Sequence, residues 1–371
     1  MIEFKLPSLG SDMDEGKLLQ WRIKPGDSVK RGQVVAVVDT SKAAVDIESW
    51  QEGTVFELLI QPGTTVPVGT VLATLLEAGE SAESASQRIA QAPAAAARRR
   101  VSPAARKYAG DRGIDINTVI GTGAEGAVTL QDVEHAAKAA PVPGQPSAAD
   151  KQQAMRNAIA AAMSRSKREI PHYYLSETVP MRNAQAWLTT ANAQRSVTER
   201  LLMAVLQLKS VALALKKFPD MNGFFHAGIY QPSAAVHIGV AISLRQGGLI
   251  APAIHDVADK SLEQLMHDLS DLVRRVRAGS LRSSEMSDPT ATVTNLGEQG
   301  VEAVYGVIYP PQVALVAFGR ITDRPWVNDG ALCVMSATTA SLAADHRVSD
   351  GHHGALFLAE VRERLQRPAE L

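Results

Sequence analysis

Apolar and polar residues follow two rhythms along this chain, separated by stretches with neither. Up to residue 77 they alternate in short runs such as "LLQWRI" and "VVAVV", broken at Pro25-Gly26 and Pro62-Gly63. That pattern predicts short β-strands joined by tight turns. From residue 151 the rhythm is mixed. Ala154, Ala158, Ile159, Ala161, Ala162 and Met163 form one helical face, Pro171 stops it, and "HYYLSETVPM" reads as a strand. A long apolar helix follows through "TERLLMAVLQLKSVALALKK", then strand-like "AAVHIGVAISL" and "GLIAPAIH", and a helix around "LEQLMHDLSDLVRRVRAG". The β-rich runs "TATVTNLG", "VALVAFGRI" and "CVMSATTASLAADHR" precede a final helix, "HHGALFLAEVRERLQ". Helices alternating with strands predict a layered α/β domain over 151–371.

Neither rhythm runs through 78–100, rich in Ala, Ser and Glu, or through 139–150, rich in Pro and Ala. Both read as linkers, since neither can bury an apolar face. They isolate a short piece, 101–138. There Ser102 before Pro103 predicts a capped helix start, "GTGAEG" a turn-rich loop, and Thr129 the start of a second helix.

The 1–77 piece is duplicated. "EGKLLQWRIKPGDSVKRGQVVAVV" aligns without a gap on "EGTVFELLIQPGTTVPVGTVLATL", so that Gly16, Pro25, Gly26 and Gly32 match Gly53, Pro62, Gly63 and Gly69 at a constant offset of 37 residues. Two such copies predict two quasi-symmetric sheets closing over one core. Lys42 lies in the segment joining them, "VVDTSKAAVDIES".

Composition narrows the classes. The 371 residues are 45% hydrophobic and 21% charged, which provides for a sizeable core. A net charge of −1 gives no reason to expect a nucleic-acid binder. Cys333 is the single cysteine, which excludes an internal disulfide framework and a cysteine-rich zinc site and suits a reducing compartment. No uninterrupted apolar run reaches eighteen residues, and the N-terminus has neither a signal-peptide nor a transit pattern, so a cytoplasmic protein without a membrane span is expected.

Chemistry concentrates in "DHRVSDGHH", residues 345–353, with three histidines, two aspartates and an arginine. A metal site would draw on His346, Asp350 and His352 or His353, but H-x-x-x-D-G-H-H is no standard zinc spacing and no metal is expected. A general base is the other reading, because an imidazole with a pKa near 6.5 suits proton removal at neutral pH.

Three resemblances bear on that choice. Residues 1–77, with "PSLGSDMDEG", the two Pro-Gly turns and Ser41-Lys42-Ala43, resemble the lipoyl domain of 2-oxo acid dehydrogenase complexes, whose motif is Asp-Lys-Ala. The resemblance implies a β-sandwich with lipoate in amide linkage on Lys42; biotin carriers share the sandwich but centre on Met-Lys-Met. Residues 101–138 resemble the small α-helical peripheral subunit-binding domain. That implies docking of the 2-oxo acid decarboxylase or dihydrolipoyl dehydrogenase through Arg106 and Lys107, with Gly110 and Ala127 where relatives often carry arginine. Residues 151–371, with "SKREIPHYYL", "FPDMNG", "HIGVAISLRQGGLIAPAI", "VTNLGEQGV", "YPPQVALVAFGRI" and "DHRVSDG" in order, resemble the dihydrolipoamide acyltransferases, whose fold is that of chloramphenicol acetyltransferase.

The resemblance implies acyl transfer, acetyl being the commonest group, from S-acyl-dihydrolipoyl-lysine to CoA. It implies His346 as general base, Asp350 as a structural and electrostatic support, and Thr294 as the hydroxyl that stabilises the oxyanion. It also implies that His346 and Thr294 meet across a subunit boundary in trimers that build a cubic or dodecahedral core of 24 or 60 subunits. A branched-chain, succinyl or acetoin-degrading complex, and a catalytically silent tethering scaffold, are the alternatives.

Overall fold

The computed structural model describes residues 1–8, 13, 15–40, 44–77, 101–112, 119, 123, 127–139, 148–244, 248–328 and 330–371. Lys42, the 78–100 stretch and "GLIAPAI"-preceding residues 245–247 lie outside them. The chain forms two compact units, one of 1–80 with 151–371 and one of 81–150.

Among the described residues, eight strands build the N-terminal sandwich: β1 (Ile2–Lys5), β2 (Glu15–Trp21), β3 (Ser28–Val29), β4 (Val34–Asp39), β5 (Ala44–Glu48), β6 (Gly53–Leu58), β7 (Thr65–Pro67) and β8 (Val71–Leu76). One sheet runs β1-β8-β6-β3 and the facing one β5-β4-β2-β7. Phe4, Leu6, Leu18, Val38, Ile47, Val55 and Leu72 fill the space between. The duplication is kept in backbone detail. Gly26 N–H donates to Val55 O and Gly63 N–H to Leu18 O, partners that are themselves 37 residues apart. The register shifts at Leu18/Gln20 on β2 and at the matching Val55/Glu57 on β6. Gly26 and Gly63, at φ 93° and 95°, close the equivalent turns in the left-handed region that favours glycine.

Within the unit of 81–150 the described residues include the helices α1 (Pro103–Arg112) and α2 (Leu130–Ala139). Ser102 Oγ accepts from Ala105 N–H at 3.2 Å, and Thr129 Oγ1 accepts from Asp132 N–H while Asp132 reaches back to Thr129 N–H at 2.8 Å. These are the two expected caps, the second closed reciprocally. Ala105, Ala109, Val119, Val128 and Val133 make a core too small to leave much margin of stability.

The C-terminal region opens with α3 (Ala148–Glu169), which begins inside the stretch expected to be linker. Then come β9 (His172–Pro180), α4 (Arg182–Asn192), α5 (Met203–Lys217), the hairpin β10 (Gly223–His226) and β11 (Ile229–Pro232), and short strands β12 (Ile238–Val240), β13 (Ile242–Ser243), β14 (Leu249–Ile250) and β15 (Ala253–Ile254). After α6 (Leu262–Ala278) follow β16 (Leu281–Arg282), α7 (Ser283–Ser287), β17 (Ala291–Asn295), β18 (Ala314–Phe318), β19 (Thr322–Asn328), β20 (Ala331–Asp345) and α8 (Gly351–Gln366).

A mixed sheet of order β15-β12-β17-β18-β20-β19, with β9 also on β20, carries α5, α6 and α8 over its core. β17 is parallel to β12 and β18, and β18, β9 and β19 are antiparallel to β20. α6 shows how sequence makes a packed helix: Leu262, Leu265, Leu269, Leu272 and Val276 are buried at i, i+3, i+7 spacing. Ser261 caps its start and Gly279, at φ 69°, its end. No described helix is long and apolar enough to cross a membrane.

Candidate active site

β20 ends at Asp345, and α8 begins at Gly351, leaving a five-residue junction that presents His346. The turn is fixed from within and from outside. Asp345 is fully buried, and its carboxylate accepts from Arg347 N–H at 2.9 Å, Nε at 2.9 Å and Nη2 at 2.6 Å. The Arg347 guanidinium lies 3.9 Å from the Phe225 ring centroid, so one side stacks while the fork neutralises Asp345. His346 N–H donates to Pro171 O at 3.0 Å, and its ring meets the edge of Tyr173 at 5.2 Å. Tyr173 Oη and the buried Ser349 Oγ are 2.8 Å apart. Burial pushes the Tyr173 phenol above its ordinary pKa, so it stays a neutral hydroxyl.

Asp350 is the N-cap of α8, its Oδ1 accepting from His353 N–H at 3.0 Å. That bond, with a second from His352 N–H, holds its carboxyl below the usual carboxylate range. His353 Nδ1 lies 2.9 Å from Asp220 Oδ2, tying the first turn of α8 to the segment before β10. The outcome is an exposed imidazole on an immobilised turn.

His172 buttresses the turn from β9, where its backbone is paired with Asp345. Its Nδ1 is 2.8 Å from Ile170 O and its Nε2 3.1 Å from Ile308 N, a pattern that only the neutral Nδ1–H tautomer satisfies. Burial keeps His172 below its ordinary pKa despite the favourable Ile170 carbonyl.

Thr294 is half-buried on β17, flanked by parallel strands and paired with Ala317. The following turn is locked: Asn295 Nδ2 donates to Gln207 Oε1 at 2.7 Å and Asn295 Oδ1 accepts from Gly297 N–H at 2.8 Å. A Cβ at Gly297 would lie 3.0 Å from both Asn295 Oδ1 and Gly319 O, so the close approach itself calls for glycine.

The sheet register separates these two residues within one chain. Asp345 N–H bonds Val313 O, whereas Thr294 pairs with Ala317, and β17 and β20 are separated by β18. Two strand spacings and four residue steps place Asp345, the residue before His346, roughly 10 Å across and about 13 Å along the sheet from Thr294, and His346 lies one residue further on. A cleft lies nearby, lined among others by Ile159, Met163, Phe224, Met286, Tyr309 and Gln312. Gln312 accepts from Thr292 Oγ1 at 2.6 Å and directly precedes Val313, the partner of Asp345.

Lys42 belongs to the four residues between Asp39 and Ala44, which pair with each other at the end of the β4–β5 hairpin. Arg106 and Lys107 are exposed on α1, and Gly110, one turn on, has open space at its Cβ position. Sequence reasoning did not single out His172, Tyr173 or Phe225. The available signal was "IPHYYL", where a polar ring pair follows a helix-ending proline.

The model of the 2-oxoacid dehydrogenases acyltransferase catalytic domain matches residues 145–371, that of Biotin-requiring enzymes residues 2–75, and that of the e3 binding domain residues 99–134. The chain is 30% identical to the acetyltransferase component of the pyruvate dehydrogenase complex of Zymomonas mobilis, over 99% of this chain and 98% of that one. It is equally 30% identical to the lipoamide acyltransferase component of the branched-chain alpha-keto acid dehydrogenase complex of Bacillus subtilis, over 98% and 97%. Among solved structures, the Azotobacter vinelandii dihydrolipoamide acetyltransferase, investigated for the catalytic roles of a serine, a histidine and an asparagine, superposes with a TM-score of 0.55 at 26% identity, covering 63% of this chain and 96% of that one. The cubic core of a pyruvate dehydrogenase multienzyme complex matches with the same TM-score, identity and coverage.

Proposed function

The chain belongs to the 2-oxoacid dehydrogenases acyltransferase family, and from that premise we propose the residues, carrier position and acyl group with which it works. It is a dihydrolipoamide acyltransferase of a 2-oxo acid dehydrogenase complex, bearing covalent lipoate and using CoA as acyl acceptor. Its e3 binding domain docks dihydrolipoyl dehydrogenase, and the decarboxylase of the complex supplies the acyl group.

The domain map we propose is a lipoyl domain at 1–77, a subunit-binding domain at 101–138 and the acyltransferase at 151–371, with linkers between; the three family matches support it. We place lipoate on Lys42, supported by the pairing of Asp39 with Ala44, which leaves this lysine in a hairpin connection. When attached there, lipoate supplies the thiol arm that carries the acyl group. Arg106 and Lys107 are proposed as docking cations. The lone Cys333 suits a reducing compartment, and the cytoplasm is the proposed setting.

The braced, exposed His346 carries the catalytic proposal. His346 takes the proton of the attacking thiol, which with a pKa of about 8.5 is mostly protonated at pH 7, and returns it to the departing thiolate. Thr294 donates its hydroxyl to the negative charge developing on the carbonyl oxygen. Asp350 acts through the N-cap, holding the α8 end of the turn. The serine, histidine and asparagine of the Azotobacter enzyme are 52 and 4 residues apart, and so are Thr294, His346 and Asp350. Asp350 accepts where an asparagine can also donate, so its part here is limited to orientation and charge. The separation of His346 from Thr294 within one chain favours a centre completed by a second copy. Trimers assembling into a 24- or 60-subunit core would provide it.

We propose acetyl as the acyl group, supported by the Zymomonas and Azotobacter relatives; the equal identity to the Bacillus protein makes branched-chain acyl groups the second reading. Initial rates with dihydrolipoamide and a panel of acyl-CoAs decide between them. Lys42→Arg should abolish turnover of the assembled complex while retaining transfer from acyl-CoA to free dihydrolipoamide. His346→Ala should lower both by about 10²–10⁴-fold, with the deficit shrinking at high pH as the thiolate forms unaided. Near-normal transfer at neutral pH by an intact His346→Ala oligomer would make the turn structural and favour the tethering-scaffold reading.

A further inference from the structure

Two walls of the cleft beside Gln312 are tied together by side chains with no part in the proton transfer. Leu249, Ile250 and Ala251 form one wall, and Met286, Ser287 and Pro289 form another. Between Ser287 and Pro289 stands Asp288, whose Oδ2 lies 3.0 Å from Nε2 of His255, four residues beyond Ala251. Burial works against a charge on Asp288, yet the hydrogen bonds from His255 and Ser287 hold its carboxyl below the usual carboxylate range. His255 Nε2–H is therefore the donor and the Asp288 carboxylate the acceptor.

The pair has supports of its own. The His255 ring meets that of His237 edge-on at 4.8 Å, and His237 Nδ1 accepts from Asp256 N–H at 3.0 Å. His237 N–H donates to Thr290 Oγ1 at 3.1 Å and Thr290 N–H to His237 O at 2.8 Å, which bonds the cluster to the residue preceding β17. Gly239 lets the walls converge, because a Cβ there would lie 2.9 Å from Ala251 O and 3.1 Å from Pro289 Cβ.

The cleft shares a face of the sheet with Thr294. Along β17, Ala291 and Val293 belong to the helix-covered core, while Thr292 and Thr294 alternate onto the opposite face, paired with Leu315 and Ala317. Thr292 Oγ1 donates to Gln312 of the cleft lining at 2.6 Å. The lining thus begins two residues, about 7 Å of strand, from Thr294. No described residue lining the cleft is charged. Such a surface suits an uncharged alkyl chain, whereas the phosphates of CoA call for cationic partners.

We propose that His255 and Asp288 are positioning residues for the transfer: their hydrogen bond clips the two walls together and sets the width of a cleft that holds the uncharged dihydrolipoyl arm on the Thr294 face. This rests on the acyltransferase reading. The pair touches no reacting atom. It governs how well the arm is held, in the ground state and the transition state alike, and so acts on KM rather than kcat.

The test uses unlipoylated full-length protein, so that no attached arm competes with the free one. Wild type is compared with His255→Ala, Asp288→Ala, the double variant, and His255→Gln, whose amide can still donate to the carboxylate. Transfer from acetyl-CoA to free dihydrolipoamide is followed with each substrate varied, beside equilibrium dialysis with dihydrolipoamide. Both side chains are part-exposed, so the fold survives their truncation, and an unfolding midpoint checks this. Each alanine variant should raise KM for dihydrolipoamide about fivefold, the worth of one part-exposed hydrogen bond. Its binding in dialysis should weaken to match, with kcat and KM for acetyl-CoA little changed. The double variant should be no worse than either single one, because both remove the same bond, and His255→Gln should stay near wild type. Additive losses, or a His255→Gln as weak as the alanine variant, would show that this bond is not what acts. A raised KM for acetyl-CoA in place of dihydrolipoamide would give the cleft to the other substrate and overturn the assignment. Unchanged KM and binding, or a fall in kcat alone, would deny the pair its positioning role. Wild type unable to transfer at all would instead sink the acyltransferase reading, while the dialysis still judged the clip.

Discussion

His346 stands on a turn braced by distant parts of the chain, whereas Thr294 stands within a sheet whose flanking strands set its direction. The turn depends on the Asp345–Arg347 pair, Phe225, the Pro171 carbonyl, Tyr173 and the Asp350 cap. Thr294 depends on β12 and β18, and on the Asn295–Gln207 bond just beyond. The difference follows from the tasks proposed for them. A base that accepts and returns a proton has to be accessible, and accessibility removes packing that would otherwise position it, so side chains beneath the turn must do so. A hydroxyl donor needs only one fixed direction, which a central strand gives at little cost.

Three substitutions probe this contrast. Thr294→Ala removes a donor but no support, so it should reduce kcat by about 10²–10³-fold, near 2.7–4 kcal/mol of transition-state stabilisation, with KM and the unfolding midpoint little changed. Steady-state kinetics beside a denaturant melt checks this, and a large loss of stability would mean that the strand also needs this side chain.

Arg347→Met should act the other way round. It leaves Asp345 buried without its cation, and since Arg347 itself is partly exposed the cost should be about 2–3 kcal/mol of stability. Activity should fall through a misplaced His346, and an Asp345→Asn partner substitution should recover part of both losses. Failure of that second change to recover anything would show that the guanidinium acts elsewhere than on Asp345.

The smallest effect concerns His172. Its folded pKa lies below 6.5, so on acidification the unfolded chain takes up the proton first. The stability it contributes is complete above about pH 7 and is lost as pH falls through 6.5 towards the lowered folded value, by at most about 1.4 kcal/mol per pH unit. His172→Gln should flatten that slope in urea melts between about pH 7 and 5. Some slope should persist, because His237 is likewise held below its ordinary pKa, first by burial and then by His255. An unaltered slope would place the titration entirely outside the turn's support.

What the sequence disclosed follows the same divide. The repeat, both helix caps of the small domain, α6 and the strand carrying Thr294 are local patterns, and each was readable. So was the His346 junction, because its polar residues are consecutive. The supports were not readable as supports. Tyr173 and Ser349 are 176 residues apart, and the pairing of His172 with Asp345 spans nearly as many. "AAVHIGVAISL" reads as one strand but is divided between β12 and β13, which pair with different partners, β12 with β15 and β17 and β13 with β14. The helix α4, the β10–β11 hairpin and β19 carry no comparable local signal: their short or weakly apolar runs acquire meaning only against the surfaces they cover.

The duplicated sandwich has a consequence for how it is labelled. A body with near two-fold symmetry offers an attaching enzyme two equivalent faces, and recognition by shape alone would mark both. Counting 37 residues on from Lys42 reaches Gly79, three positions beyond Leu76 at the end of β8, and a glycine has no side-chain amine to modify. The sequence symmetry is therefore broken at the one place where stoichiometry would be decided: with lipoate on Lys42, as proposed, each chain would receive a single arm.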